Sequence, residues 1–337
     1  MCRLFAFASA APQTVADVMG PANVAEFTDL SRLHGDGWGA AWLGGRDDAS
    51  VLMDGTVTAV RDGVGEVARV RSTRAAWDDP VFADFVRNDP GTAAIVHLRW
   101  ASPGMAVMLD NQHPFLTAGD ADGEDAAAFA HNGGIDWTPE LTEEGRRQWA
   151  AAGREAPAWT GTTDSERYFW LVRAYHAAGA DWPEACVRAH GAIRALAAPC
   201  GINAMLLTPT QIVALHAAGG RRPDLARWAT LGVDTSALPR DHTDEYYRLA
   251  VRRSDHDVAL VSSGLPLDGW EPIADETMVV VDRATLAVTI SPLAGPEHPR
   301  RWSDPAGRPL AVPDGCLPSV VRGKTDEAPG PPVDPAA

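Results

Sequence analysis

Cys2, Arg99, Asn132 and Asp164 are the residues of this chain whose types and settings could do chemistry together. Cys2 directly follows the initiator methionine in "MCRLFAF". Cysteine is small, so the methionine before it is open to trimming. Trimming leaves a thiol and a free α-amine on one residue, and a terminal amine can serve as the general base for its own side chain. The plainer reading makes "CRLFAF" a first strand with Cys2 a small, semi-buried hydrophobe.

The segment "HLRWASPG" (97–104) closes an apolar strand and sets Arg99 at its end. Arg99 is either a surface ion-pair partner or a bidentate clamp for a substrate carboxylate, which suits its planar fork. Trp100 beside it either packs in the core or walls the pocket that holds the substrate. In "NQHPF" (111–115) the proline forces His113 to be extended. In "FAHNGG" (129–134) an apolar strand runs into Asn-Gly-Gly. That pair suits a tight turn, and it also offers the Asn132 amide and the Gly133 N–H as two donors converging on an oxyanion. "GTTDSERYFWL" (161–171) starts a helix, with Thr163 and Glu166 at capping-box spacing. Asp164 then falls in the first turn, where a carboxylate suits the helix dipole or faces a pocket and holds an ammonium group. Taken together, a thiol, an arginine for a carboxylate, an aspartate for an amine and an Asn–Gly donor pair would recognise an α-amino acid. They would attack an acyl carbon at its far end, which describes a glutamine-like substrate.

Positioning these groups falls to strands in two sets. "CRLFAFA", "GWGAAWL", "TAAIVHLRW" and "AAAFAHNG" alternate or run apolar in the first half. "INAMLLTP", "QIVALHA", "YYRLAVRR", "DVALVSS", "TMVVVDR" and "LAVTISPL" do so in the second. Helical periodicity lies between and beside them in "DPVFADFVRN", "TPELTEEGRRQWAAA", "TTDSERYFWLVRAYHAAG" and "DWPEACVRAHGAIRAL". The order lacks steady βα alternation, so an α+β fold is expected, with two mainly antiparallel sheets face to face and helices outside. "AGDADGEDAAA" (118–128) reads as an acidic, mobile loop. From Gly295 onward prolines crowd in, so a domain over 2–294 and a Pro-rich, largely disordered tail over 295–337 are expected.

With 337 residues, 45% of them hydrophobic, the chain can fill a large core. Its net charge is −16 and Lys324 is its one lysine. An acidic chain without a basic stripe argues against nucleic-acid and membrane-surface partners. No apolar stretch spans a bilayer and no signal peptide opens the chain, so it reads as cytoplasmic. Cys2, Cys186, Cys200 and Cys316 are too scattered for a disulfide framework. Cys186 and Cys200 flank His190 without a close ligand pair, so buried thiols are expected there and no metal or cofactor is called for.

The motifs "MC", "GDGWGAAW" (35–42), "HLRWASPG", "NQHPF", "FAHNGGI" and "TTDSE" fall in one order over roughly residues 2–175. In this the chain resembles class II glutamine amidotransferase domains of the N-terminal-nucleophile hydrolase superfamily. The resemblance implies a four-layer αββα sandwich. It implies Cys2 as nucleophile with its α-amine as base, and Asn132 with the Gly133 N–H as oxyanion hole. It also implies Arg99 on the substrate α-carboxylate, Asp164 on the α-ammonium, and Trp100 among the substrate-binding residues. The glycines of "GDGWG" would let a strand pass close to the nucleophile while Asp36 bonds locally. His97 and His113 are assigned structural roles. In synthases of this family an ammonia-consuming domain follows, but here about 160 residues follow "TTDSE" and carry neither a phosphate loop nor a cysteine cluster. The length matches stand-alone members. The expected substrate is therefore a small γ-glutamyl amide, with an ammonia-accepting enzyme as the further partner the family admits. Two alternatives stand beside this: a dedicated γ-glutamyl-conjugate amidohydrolase of an ergothioneine-like pathway, and a non-catalytic binding or assembly subunit.

Overall fold

The computed structural model describes residues 2–293 apart from 45–51, 54–56, 65, 103, 118–124, 198, 219–224, 231–233, 237, 239–241 and 243–244. The tail expected at 295–337 and most of the acidic loop expected at 118–128 lie outside the described residues. The first half carries strands β1 (Arg3–Gln13), β2 (Trp38–Leu43), β3 (Leu52–Met53), β4 (Val57–Val64), β5 (Val67–Ser72), β6 (Gly91–Leu98), β7 (Phe115–Leu116) and β8 (Ala128–Ile135). The second carries β9 (Pro199–Leu207), β10 (Gln211–Ala217), β11 (Leu249–Arg253), β12 (Asp257–Ser262), β13 (Glu271–Pro272), β14 (Thr277–Asp282) and β15 (Val288–Pro292). Helices α1 (Val15–Met19), α2 (Pro21–Leu30) and α3 (Pro80–Asn88) interrupt the first set of strands. α4 (Pro139–Ala151), α5 (Asp164–Ala177) and α6 (Trp182–Leu196) separate β8 from β9, and a short α7 (Leu225–Thr230) follows β10.

The strands form a nine-stranded sheet in the order β13-β11-β12-β1-β6-β2-β5-β4-β3 and a six-stranded sheet in the order β15-β14-β10-β9-β8-β7. Their pairings are antiparallel. Alternation along β1 explains the layering, because successive side chains point to opposite faces of a sheet. Phe5 and Phe7 pack with Val15, Phe27 and Phe82 of α1–α3 on the outer face. Leu4, Ala6 and Ala8 face inward, against Ala128, Ala130 and Met205 of the second sheet. The outer face of that second sheet buries Phe129, Leu206 and Val213 under Trp149, Tyr168 and Ile193 of α4–α6. The result is a four-layer αββα sandwich. The layer between the sheets is rich in alanine, so the two backbones approach closely.

Three differences from the sequence expectations have physical causes. β4 and β5 are absent from the expected strands because valines there alternate with charges that pair on the sheet's flank. Arg61 bonds Asp89 at 2.7 Å, and Arg69 bonds Asp62. Helices α1 and α2 are too short for periodicity to register, and Gly20 separates them as C-cap of one and N-cap of the other. Tyr246 and Tyr247 lie in a turn ahead of β11 rather than in a strand, their rings packed edge-on at 5.1 Å.

The layer assignments carry a stability test. Phe7→Ala is expected to lower unfolding free energy by about 3–5 kcal/mol, by emptying the helix-facing core. Ala130→Leu is expected to cost about 1–3 kcal/mol by overfilling the layer between sheets. Urea midpoints check both, and a wild-type midpoint in Ala130→Leu would contradict close sheet packing.

Candidate active site

The first residue before β1 meets the end of β6. The register pairs Arg3 with Leu98, which brings Cys2 alongside the residues that follow β6. The Trp100 N–H donates to the Cys2 Sγ at 3.4 Å, and the thiol reaches the Trp100 carbonyl at 3.8 Å. Trp100 therefore touches Cys2 through its main chain, while its ring stands edge-on to His34 at 5.2 Å. Cys2 is 7% exposed. Burial pushes its thiol above the ordinary range, and the positive chain terminus, the Trp100 amide, Arg99 and Arg3 each pull it back. A thiol held protonated in this way needs a base before it can attack.

From the second sheet, the Cys2 main-chain nitrogen donates to Asn132 Oδ1 at 2.8 Å across 130 residues of sequence. The other end of that amide, Nδ2, is buried and has no hydrogen-bond partner. One side chain thus orients the Cys2 nitrogen and offers an unused donor. Asn132 and Gly133 do not form the tight turn that Asn-Gly suggests. β8 continues through Ile135, with a register shift between Gly133 and Ile135. A bulge re-aims side chains at such points without ending the strand. Glycine is required at 133: φ is 154°, and a Cβ would meet the Gly201 carbonyl oxygen at 2.1 Å.

Arg99 follows β6 and is almost fully buried, so it is not a surface ion-pair residue. Its backbone N–H donates to the Gly37 carbonyl at 2.8 Å, and its guanidinium donates to the carbonyls of Ala106 at 3.2 Å and Asp36 at 3.5 Å. Burial lowers its basicity, and Cys2, Asp36 and Asp164 raise it again, placing the cation near all three. Asp164 opens α5, and its Oδ2 accepts the Ile135 N–H at 2.6 Å, while Oδ1 accepts the Ser165 N–H at 2.9 Å. The capping box is half formed. Thr163 accepts the Glu166 N–H at 3.1 Å, but the Glu166 carboxylate instead takes the N–H groups of Thr160 and Gly161.

Several supporting residues escaped the sequence reading. The Asp36 carboxylate accepts the Ala101 N–H at 2.8 Å, tying "GDGWG" to "HLRWASPG". The glycine at 39 serves a close approach to a segment other than Cys2, since a Cβ there would meet the His113 carbonyl oxygen at 2.1 Å. Asn111 bridges the Ala106 carbonyl, which Arg99 also uses, to the Thr162 N–H at 2.8 Å. Asn111 thereby links the carbonyl that Arg99 holds to the segment just ahead of Asp164. The "NQHPF" motif showed its Asn111 in sequence, but nothing local distinguished it from a turn residue.

Three buried histidines back the site. His97 and His113 pack edge-on at 4.1 Å, and His131 Nδ1 lies 2.9 Å from the Ser165 hydroxyl. Burial drives the basicity of His97 and His113 well below the ordinary range. It drives His131 to about 4, against an upward pull from Asp164. A cavity of about 410 Å³ lined by Arg69, Arg71, Trp159 and Trp170 opens elsewhere, and none of Cys2, Arg99, Asn132 or Asp164 lines it. Cys186 is buried, as expected of a core thiol, and the Cys200 side chain lies outside the described residues.

One comparison with known proteins identifies a family, and another identifies the fold. The family model described as "Glutamine amidotransferases class-II" matches residues 1–218. Glutamine phosphoribosylpyrophosphate amidotransferase from B. subtilis, solved with ADP and GMP, shares the fold at a TM-score of 0.53 and 12% identity. The match covers 87% of this chain and 49% of that one. A structure described as the allosteric regulatory enzyme of purine biosynthesis matches at 0.52 and 12%, with the same coverage. A glutamine aminotransferase class-II domain protein from Silicibacter pomeroyi matches at 0.47 and 17%, over 87% of this chain and all of that one. The chain spans about half the length of the first two. No curated protein matches it in sequence. The shared fold is that of the N-terminal-nucleophile hydrolases.

The neutral histidines predict an acid-sensitive fold. Below about pH 6.5 an unfolded histidine takes up a proton that the buried His131 refuses until about pH 4. Stability is therefore expected to fall as pH drops through that window, by about 1.4 kcal/mol per pH unit for each such histidine. Urea midpoints between neutral pH and pH 4 check this. His131→Gln is expected to flatten the slope, and a pH-independent midpoint would contradict burial of neutral rings.

Proposed function

The chain belongs to the class-II glutamine amidotransferases, and on that premise we propose that it hydrolyses a γ-glutamyl amide with Cys2 as an N-terminal nucleophile. The observation that carries this reading is the Cys2 nitrogen held at 2.8 Å by Asn132 Oδ1, with the Asn132 Nδ2 buried and unpartnered beside it.

Removal of Met1 would turn that nitrogen into an α-amine with an ordinary pKa of about 7.7–8.0. Bonding to Asn132 fixes its direction and leaves it to accept the thiol proton through a water. The thiolate then attacks the γ-carbonyl carbon. The Asn132 Nδ2 and the Gly133 N–H hold the oxyanion, and each such donor is typically worth about 2.7–4 kcal/mol in the transition state. Collapse breaks the C–N bond. The leaving nitrogen takes the proton from the α-amine and departs as ammonia or an amine, leaving a γ-glutamyl thioester. Water activated by the same amine releases glutamate. Arg99, with donors beyond those already engaged, holds the substrate α-carboxylate. Asp164 holds the α-ammonium through lone pairs its two backbone donors leave open, and Trp100 closes the pocket. Ammonia passes to water or to an accepting enzyme.

Intact-mass spectrometry before and after exposure to a diazo-ketone analogue of glutamine tests the proposal. Loss of Met1 and a single adduct, absent in Cys2→Ala, are the expected results. Cys2→Ala is expected to abolish turnover while binding persists, and Arg99→Ala to raise KM with a smaller change in kcat. Comparing free glutamine with a γ-glutamyl conjugate identifies the leaving group. Undiminished hydrolysis by Cys2→Ala would overturn the reading.

A further inference from the structure

Behind Cys2 lies a second buried cluster, and two of its members, His242 and Tyr246, come from the part of the chain past the family match at 218. Arg3 is fully buried, and its Nη1 donates to the Cys2 carbonyl at 2.8 Å. Its Nη2 lies 2.7 Å from His242 Nε2. His242 Nε2 is in turn 2.8 Å from His34 Nε2. The His34 ring stands on Trp100, whose main chain holds the Cys2 thiol. The contacts close a circuit that leaves Cys2 through its carbonyl and returns through its sulfur. Tyr246 packs beneath, with the Arg3 guanidinium 4.7 Å over its ring and the His242 ring edge-on at 5.6 Å. His34, His242 and Tyr246 are all buried.

Hydrogen-bond chemistry fixes the tautomers. Arginine only donates, so His242 Nε2 must be the acceptor and must carry no proton. The His242 proton is then on Nδ1. Since His242 Nε2 accepts, His34 must donate from its own Nε2. A single lone pair on His242 thus gathers two donors, one of them a buried cation. Such charge-assisted bonds are about twice as strong as neutral ones, and the loss of a buried acceptor leaves its donors stranded.

We infer that His242, as the neutral Nδ1-protonated imidazole, is a positioning residue that locks Arg3 onto the Cys2 carbonyl and so fixes the nucleophile's main chain. His34 steadies it from the other side. The inference rests on the proposed role of Cys2 and adds a requirement from outside the matched motifs. Arg3 also places a positive charge beside the thiol, which favours its ionised form.

Two measurements test it. In protein labelled with ¹⁵N-histidine, long-range proton–nitrogen correlation near neutral pH should show the His242 resonances, identified by their loss in His242→Gln, with Nδ1 protonated and Nε2 bare. A protonated Nε2 would overturn the inference. Second, His242→Ala is expected to slow both kcat and iodoacetamide alkylation of Cys2, mapped by peptide mass, by about tenfold, with KM within about twofold. His242→Gln is expected to restore both rates to within about threefold, because its carbonyl oxygen can accept from Arg3. Loss of thermal stability with an unchanged alkylation rate in folded protein would mean a merely structural role. Should His242→Ala not fold, the tautomer measurement and His242→Gln decide alone: a Gln variant that folds yet alkylates tenfold slower overturns the acceptor argument. A wild type whose Cys2 resists both iodoacetamide and the diazo-ketone overturns the nucleophile reading itself. A reactive wild type matched by an equally reactive His242→Ala overturns only this inference.

Discussion

A single hydrogen bond between the two sheets, from the Cys2 nitrogen to Asn132 Oδ1, is the contact on which the site depends. It forms only if the residue ahead of β1 and the bulged end of β8 arrive at the same edge of the sandwich. Both conditions are set by packing. The alanines between the sheets allow a close approach, and at Gly133 the Gly201 carbonyl fills the space a side chain would need. Asp164, on the far side, grips the Ile135 N–H just past the bulge. β8 is thus pinned at both ends of its irregular stretch.

The electrostatics of the site follow a division of labour among buried groups. Arginine cannot give up its charge in a protein, so Arg3 and Arg99 remain cationic and favour a thiolate that burial alone would oppose. The histidines nearby do the reverse: burial strips them of charge. Positive charge is concentrated on two side chains whose directions are fixed by carbonyl acceptors. It does not fluctuate with protonation of the imidazoles around them.

Residues with strong local signatures were legible in sequence. The strand of β1, the apolar run of β6 and the capped start of α5 all declare themselves over a few positions, and with them came Cys2, Arg99 and Asp164. What stayed hidden depends on partners remote in sequence. Asp36 looks like a turn aspartate until its bond to Ala101 is seen. Asn111 looks like a loop residue until it meets Thr162. His242 sits among Asp, Arg and Thr with no periodicity around it, and its meaning comes from distant partners such as Arg3 and His34. Asn132–Gly133 misled in the opposite sense, because its strong turn signature is overridden by pairing with β9. The same logic covers β4 and β5, whose charges look solvent-facing until their ion pairs are placed.

β1 is an interior strand, bounded by β6 on one side and β12 on the other, and β12 ends at Ser262. During synthesis, therefore, β1 precedes every other described strand yet lacks its β12 neighbour until the chain has reached that strand. At about 5–20 residues per second, roughly 13–50 seconds of elongation separate Cys2 from the strand that closes its sheet. Through that interval the β12 side of β1 is an unpaired edge. A chain halted at residue 218, where the family match stops, would keep that edge bare.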